Sequence, residues 1–307
     1  LFNPRKQTRA RVTYADINGL EGQEAGEKGK NGFSGPLLNQ LGQMDGFVQV
    51  VRVFDDPNAP HSLGEVDPAR DVAIMDAELL LNDLLITERR IERLAEERKK
   101  GGVKDRTLLE RESALLERVH AALAEEIPLR NLALSAEEEK LISGFSLLTR
   151  KPMLILFNLG DEQNPPDFVY PHQHSDVAAL KGKLEMELAQ LPPEDAEIFM
   201  AEYGIKKLGM SRVIERSYKL LGRQSFFTVG EDEVRAWTIR CGATAYEAAG
   251  AIHSDLQKGF IRAETIDQAL LLELGGLSEA RAKGQLRLEG KDYLVQDGEI
   301  VHIRFNV

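Results

Sequence analysis

Two tetrapeptides in this 307-residue chain carry groups able to bind a phosphorylated ligand. Asp16-Ile17-Asn18-Gly19 ends a β-branched and aromatic run, A-R-V-T-Y-A, and opens a glycine-rich stretch. A carboxylate leaving a strand can hold Mg2+, usually through water, and a glycine N–H can approach a phosphate oxygen because no Cβ intervenes. Asn158-Leu159-Gly160-Asp161 follows the apolar run M-L-I-L-F from Met153. The end of a buried strand is where α/β sheets bind ligands. An asparagine there carries the donor and acceptor that adenine N6 and N7 can use. Each tetrapeptide also has a plain structural reading, as a strand-to-turn junction for the first and as a cap on the following turn for the second.

The loop that normally wraps a phosphate is absent. No G-x-x-x-x-G-K-[ST] occurs, and the pairs Gly29-Lys30, Gly182-Lys183 and Gly290-Lys291 lack the earlier glycine and a following Ser or Thr. Net charge of −11 argues against a generally basic nucleic-acid binder, and no DNA partner is expected. No apolar run reaches the 18 or so residues of a membrane span, so no membrane partner is expected. One cysteine, Cys241, excludes an internal disulfide framework and fits a reducing cytoplasm; its position in an expected strand reads as a buried, inert thiol. His172 and His174 form an H-x-H, with no Cys or carboxylate at ligand spacing to complete a zinc site.

The elements follow from periodicity and punctuation. Residues 10–20 read as a strand running into a turn, and Glu21 to Pro36 as a glycine-rich loop. A helix is expected over 37–42, then a parallel strand over 47–54, buried on both faces. From Val72 to Ser146 apolar residues recur at three-, four- and seven-residue steps (Leu80, Leu84, Ile91, Leu94; then Leu108, Leu115, Val119, Leu123), broken by Gly101-Gly102. That is an antiparallel helical hairpin of coiled-coil character, with a solvated charged face or a partner-contacting tip near Glu96 to Lys104. Helices are expected over 183–203, 210–221 and 245–258, the last capped by Gly259. Strands are expected over 234–239, 260–264, 293–296 and 300–305, with Asp297-Gly298 as a hairpin turn. Short strands around one helix indicate a small β-grasp module.

The string F-F-T-V-G-E-D-E-V-R-A-W-T-I from Phe226, and R-L-E-G-K-D-Y-L-V-Q-D-G-E-I-V-H-I-R-F-N-V from Arg287, resemble the TGS domain of the Obg-like ATPase (YchF) family of P-loop NTPases. The resemblance extends over nearly the whole chain. It implies an α/β fold: an incomplete G domain over 1–75 and 147–225, an inserted helical hairpin or coiled coil over 76–146, and a β-grasp TGS domain over 226–307. The segment with the P-loop and switch I, about fifty to seventy residues, is expected to precede Leu1, and the chain as given is expected to be inactive alone. In the family frame Asp16 holds Mg2+, Gly19 senses the γ-phosphate and the loop after it is switch II. Leu20 stands where Ras-like GTPases place the water-orienting glutamine, so no catalytic residue is assigned. Asn158, Leu159 and Asp161 stand at the base-reading motif: Leu159 replaces the GTPase lysine, as in the ATPases, whereas Asp161 is GTPase-like. Lys181-Gly182 replaces the small-residue pair that meets the base edge, ahead of K-L-E-M-E-L-A-Q-L. His61, in N-A-P-H-S-L-G-E-V-D-P, reads as structural.

Two functions follow. The first is a nucleotide-dependent switch hydrolase using Mg2+ and ATP or GTP, ATP slightly preferred, cytoplasmic and associated with the ribosome through rRNA or ribosomal proteins. The second is a non-catalytic ribosome-, RNA- or protein-binding module with a decayed G domain.

Overall fold

The computed structural model describes residues 3–17, 33, 35–100, 105–202, 205 and 207–306. The chain forms two compact units, one of Leu1–Tyr14 with Leu221–Val307 and one of Ala15–Leu220.

The larger unit is built on a three-stranded parallel sheet, order β2-β3-β4. Its strands are β2 (Phe47–Arg52), β3 (Met153–Asn158) and β4 (Ser175–Leu180). Five of the six β3 residues are buried, as a central parallel strand requires. β2 is parallel as expected, but it is an edge strand: Val51 is buried while Val50 is 63% exposed. β4 was not legible, because S-D-V-A-A-L carries a charge and little β-branching. Leu41, Val51, Val72, Leu79, Leu148, Met153, Ile155, Phe157 and Leu159 form the core beside this sheet, and Ile17, Phe33 and Leu38 pack against it.

Residues 10–17 are in no ladder, although their composition is that of a strand. A strand exists only as a pair, and here the pairing falls earlier, at β1 (Lys6–Thr8) in the other unit. The helix α1 (Gly35–Gln43) starts two residues before the expected position, with Pro36 in its first turn, where the missing N–H costs nothing. The expected turn at 18–20 and most of the loop after it lie outside the described residues.

The hairpin comprises α2 (Pro68–Lys100) and α3 (Arg106–Ala124), closed by a short α4 (Ala136–Ile142). Asp67 accepts from Arg70 N–H at 3.0 Å at the start of α2, and Asp105 from Leu108 N–H at 2.9 Å at the start of α3. Leu94, Leu109, Leu116, Val119 and Leu123 form its seam, and Arg90 clamps Glu112 with both Nε and Nη2. Asp83, fully buried in α2, ties the hairpin to the entrance of β3. Its carboxylate accepts from Leu148 N–H (2.9 Å), Thr149 N–H (2.7 Å) and Thr149 Oγ1 (2.7 Å). Burial pushes its pKa up against these bonds.

The helix expected over 183–203 is two helices, α5 (Gly182–Gln190) and α6 (Pro193–Glu202), interrupted at Leu191-Pro192. α7 (Gly209–Leu220) closes the unit.

The C-terminal unit is a six-stranded mixed sheet, order β1-β6-β5-β9-β7-β8. Its strands are β5 (Arg223–Val229), β6 (Glu233–Arg240), β7 (Phe260–Asp267), β8 (Arg287–Glu289) and β9 (Glu299–Phe305). The helix α8 (Ala245–Ile252) packs on it through Ala245, Ala248 and Ala249 against Phe226, Ile239, Val301 and Ile303. The expected single helix breaks at His253, after which α9 (Ser254–Lys258) runs to Gly259. Gly259 has a negative φ; its lack of a side chain is needed because an added Cβ would sit 2.2 Å from Asn306 O. The expected strand 293–296 is only a bridge from Leu294 to Thr244, so Gly298, at φ +81, turns the chain into β9 without forming a hairpin. Two further helices, α10 (Gln268–Leu274) and α11 (Leu277–Ala282), cover Ile266 and Ile300. Cys241 follows β6 and is exposed, against the expectation of a buried thiol. Among the described residues no helix is long and apolar enough to cross a membrane, and no group of three or more His, Cys, Asp or Glu could hold a metal.

Candidate nucleotide site

The carboxyl end of β3 converges with the amino end of α5. Asn158 is the last residue of β3, and its Oδ1 accepts from the Gly182 N–H at 3.0 Å. The N-cap of α5, Lys181, makes no side-chain cap bond, so Asn158 caps this helix from the neighbouring strand. Gly182 is required by this contact: a Cβ there would lie 2.6 Å from Asn158 Oδ1. With Oδ1 committed, the Asn158 carboxamide keeps its NH2, a two-hydrogen donor that bonds nothing among the described residues.

The loop after β3 is fixed from both sides. Leu159 N–H donates to Leu180 O at 2.9 Å, and Gly160 N–H donates to Gln163 Oε1 at 2.9 Å. Lys181 Nζ donates to Asp161 O, and Lys183 Nζ lies 3.7 Å from Asp161 Oδ2. Neither Gln163 nor Lys183 was singled out by motif; Lys183 had a signal in standing next to Gly182 at the start of a helix. Arg52 ends β2 opposite Asn158 and anchors the crossing beyond it, with Nε to Phe54 O at 2.8 Å and Nη1 to Ala59 O at 2.6 Å. Downstream, His61 Nε2 meets Asp71 Oδ2 at 2.9 Å while its Nδ1 accepts from Leu63 N–H, consistent with a structural role.

Asn158, Leu159, Asp161, Lys181 and Gly182 therefore form one cluster. Leu159 is 5% exposed, and its side chain is part of the core beside the sheet. Asp16 is exposed, and among the described residues no hydrogen bond or ion pair joins it to the cluster. Its neighbour Ile17 packs on the same core as Phe157 and Leu159. Gly19 and Leu20 lie outside the described residues. His172 is held by Asn131 Nδ2 at 3.1 Å and by edge-on contact with Tyr170, which accounts for it without a metal.

The chain is 37% identical over 322 residues to the ribosome-binding ATPase YchF of Bacillus subtilis, covering all of this chain and 85% of that protein. It is 39% identical over 319 residues to the ribosome-binding ATPase YchF of Escherichia coli O157:H7, with the same coverage. This chain belongs to the YchF family. The YchF-GTPase_C family, described as a protein of unknown function (DUF933), matches residues 223–306. The solved YchF GTPase of Schizosaccharomyces pombe superposes with a TM-score of 0.81 at 29% identity, over 98% of this chain and 82% of that one. The α/β fold of the solved YchF GTPase, with a TGS-like C-terminal unit, thus holds for this chain.

Proposed function

We propose that this YchF chain is the switch and base-recognition portion of a nucleotide-dependent ATPase that works on the ribosome and prefers ATP slightly over GTP. The observation that carries the reading is the Asn158 carboxamide, oriented by the bond from Gly182 N–H to its Oδ1, with an NH2 that bonds nothing among the described residues. A purine N7 is an acceptor, and an NH2 fixed at a strand end meets it without further ordering.

The preference for ATP follows from the neighbours. Guanine recognition by Asp161 needs a carboxylate free to accept from N1–H and the amino group, whereas Lys183 shares that carboxylate and Lys181 holds the same residue's backbone. Leu159, buried, cannot lie along a base as a lysine would. Asp16 suits a magnesium ion that keeps most of its waters, since such sites need only one or two carboxylates beside substrate phosphates. Bound there, the ion would neutralise charge on the β- and γ-phosphates. The relatives' names support ribosome association. Lacking a G-x-x-x-x-G-K-[ST], the 307-residue chain by itself should show no turnover.

Titration of the full-length protein with ATP and GTP, each with Mg2+, tests the reading. ATP should bind several-fold more tightly; a GTP preference of tenfold would reverse the assignment at Asp161.

A further inference from the structure

The edge strand of the C-terminal sheet comes from the opposite end of the chain. β1 lies parallel to β6, with Lys6, Gln7 and Thr8 opposite Glu233, Val234 and Arg235. Arg5 N–H donates to Glu231 O at 3.2 Å and Lys6 N–H to Asp232 O at 3.0 Å. Arg5 pairs with Asp232 at 3.4 Å, Lys6 with Glu233 at 3.2 Å, and Thr8 Oγ1 donates to Glu233 Oε1 at 2.5 Å. Lys6, Gln7 and Thr8 themselves are all polar. Arg5 and Asp232 are each 87% exposed, so their pairing is screened by salt and contributes little. Among the described residues the strand has no buried face, so its register is weakly specified.

The same segment leads directly to the metal-site candidate. Thr8 and Asp16 are eight positions apart, a reach of at most about 28 Å when extended. The chain passes from one unit to the other between Tyr14 and Ala15, and Ile17 is packed into the core of the larger unit. Residues 10–17 carry the composition of a strand and yet join no ladder. Of the link's two ends, Ile17 packs on a core, whereas among the described residues Lys6–Thr8 join none.

We propose that Arg5–Thr8 is a releasable edge latch that couples the nucleotide site at Asp16 to the TGS unit: bound nucleotide orders the link, and β1 leaves β6. The proposal rests on the reading of Asp16 as part of the nucleotide site. A ligand shifts such an equilibrium only by its differential affinity for the two states, and the latch in turn opposes nucleotide binding by the same factor.

Hydrogen exchange on the full-length protein, with and without a non-hydrolysable ATP analogue and Mg2+, reads the latch directly. Amides of Lys6–Thr8 and Glu233–Arg235 should exchange at least about tenfold faster with nucleotide bound, while those of β7 and β9 stay unchanged. Unchanged or slower exchange, in a sample shown by fluorescent-nucleotide titration to be saturated, overturns the latch and leaves the nucleotide site standing. Failure to bind nucleotide at all removes both. Lys6→Pro deletes the N–H donated to Asp232 O; in that variant exchange at the β6 edge should be fast without nucleotide, and ATP affinity should rise about three- to tenfold. Equal or lower affinity in Lys6→Pro also overturns the proposal.

Discussion

Several single side chains have their hydrogen-bonding capacity already divided between partners. Asn158 spends its oxygen on α5 and keeps its NH2. Gly182→Ala would place a Cβ 2.6 Å from that oxygen. The side chain rotates away before the backbone shifts, so the loss should appear in ATP affinity, at about tenfold, with little change in melting temperature. A drop of more than 10 °C with unaltered affinity would mean that Gly182 serves the fold instead. Asp83 is the structural counterpart. Asp83→Ala strands the N–H groups of Leu148 and Thr149 in the interior and should cost about 3 kcal/mol in denaturant unfolding. A cost below about 1 kcal/mol would show that these amides find other acceptors. Neither role could be read from the sequence in full. N-L-G-D advertised the asparagine, but its partner 24 positions away emerged only once β3 and β4 were paired.

Among the elements, those with strong periodicity or punctuation were legible and those defined by a partner were not. The hairpin helices follow their leucine spacing, and the capping box of Thr244 and Glu247 opens α8 where the composition changes. The M-L-I-L-F run became the central buried strand. In contrast, A-R-V-T-Y-A-D-I has good strand propensity and no ladder, while K-Q-T has poor propensity and pairs with β6. Tertiary pairing overrides propensity in short strands. One contact between elements was also invisible. Lys151 Nζ donates to Leu41 O (2.8 Å), Gly42 O (2.7 Å) and Met44 O (2.5 Å), gathering the carbonyls at the end of α1. Burial holds this ammonium below the usual lysine range. Lys151→Met should destabilise by about 2 kcal/mol and speed amide exchange in the last turn of α1. If the exchange there stays as in the parent protein, the ammonium is not what holds the helix end.

For the whole molecule, buried phenols should make stability fall at alkaline pH. In the C-terminal unit, burial and then the bond to Glu299 push the Tyr293 phenol up to about 12 from an ordinary 10.0. A raised folded pKa stabilises fully below the unfolded value, so this contribution is intact at pH 9. It is lost as pH climbs from about 10 towards 12. Alkaline unfolding of this unit should therefore steepen over that window, and Tyr293→Phe should flatten it; an unaltered slope would show that Tyr293 does not carry the effect. The crossing of residues 5–8 into the C-terminal sheet was not legible in the sequence, because K-Q-T carries no strand signal of its own. Whether a carboxamide donor at the end of β3 holds the base is read by titrating MgATP into full-length Asn158→Asp. That change keeps an oxygen for Gly182 N–H and replaces the NH2 donor with a negatively charged acceptor oxygen. Binding at least about tenfold weaker, with α5 intact by hydrogen exchange, is the predicted result. Affinity equal to the parent protein's would contradict it.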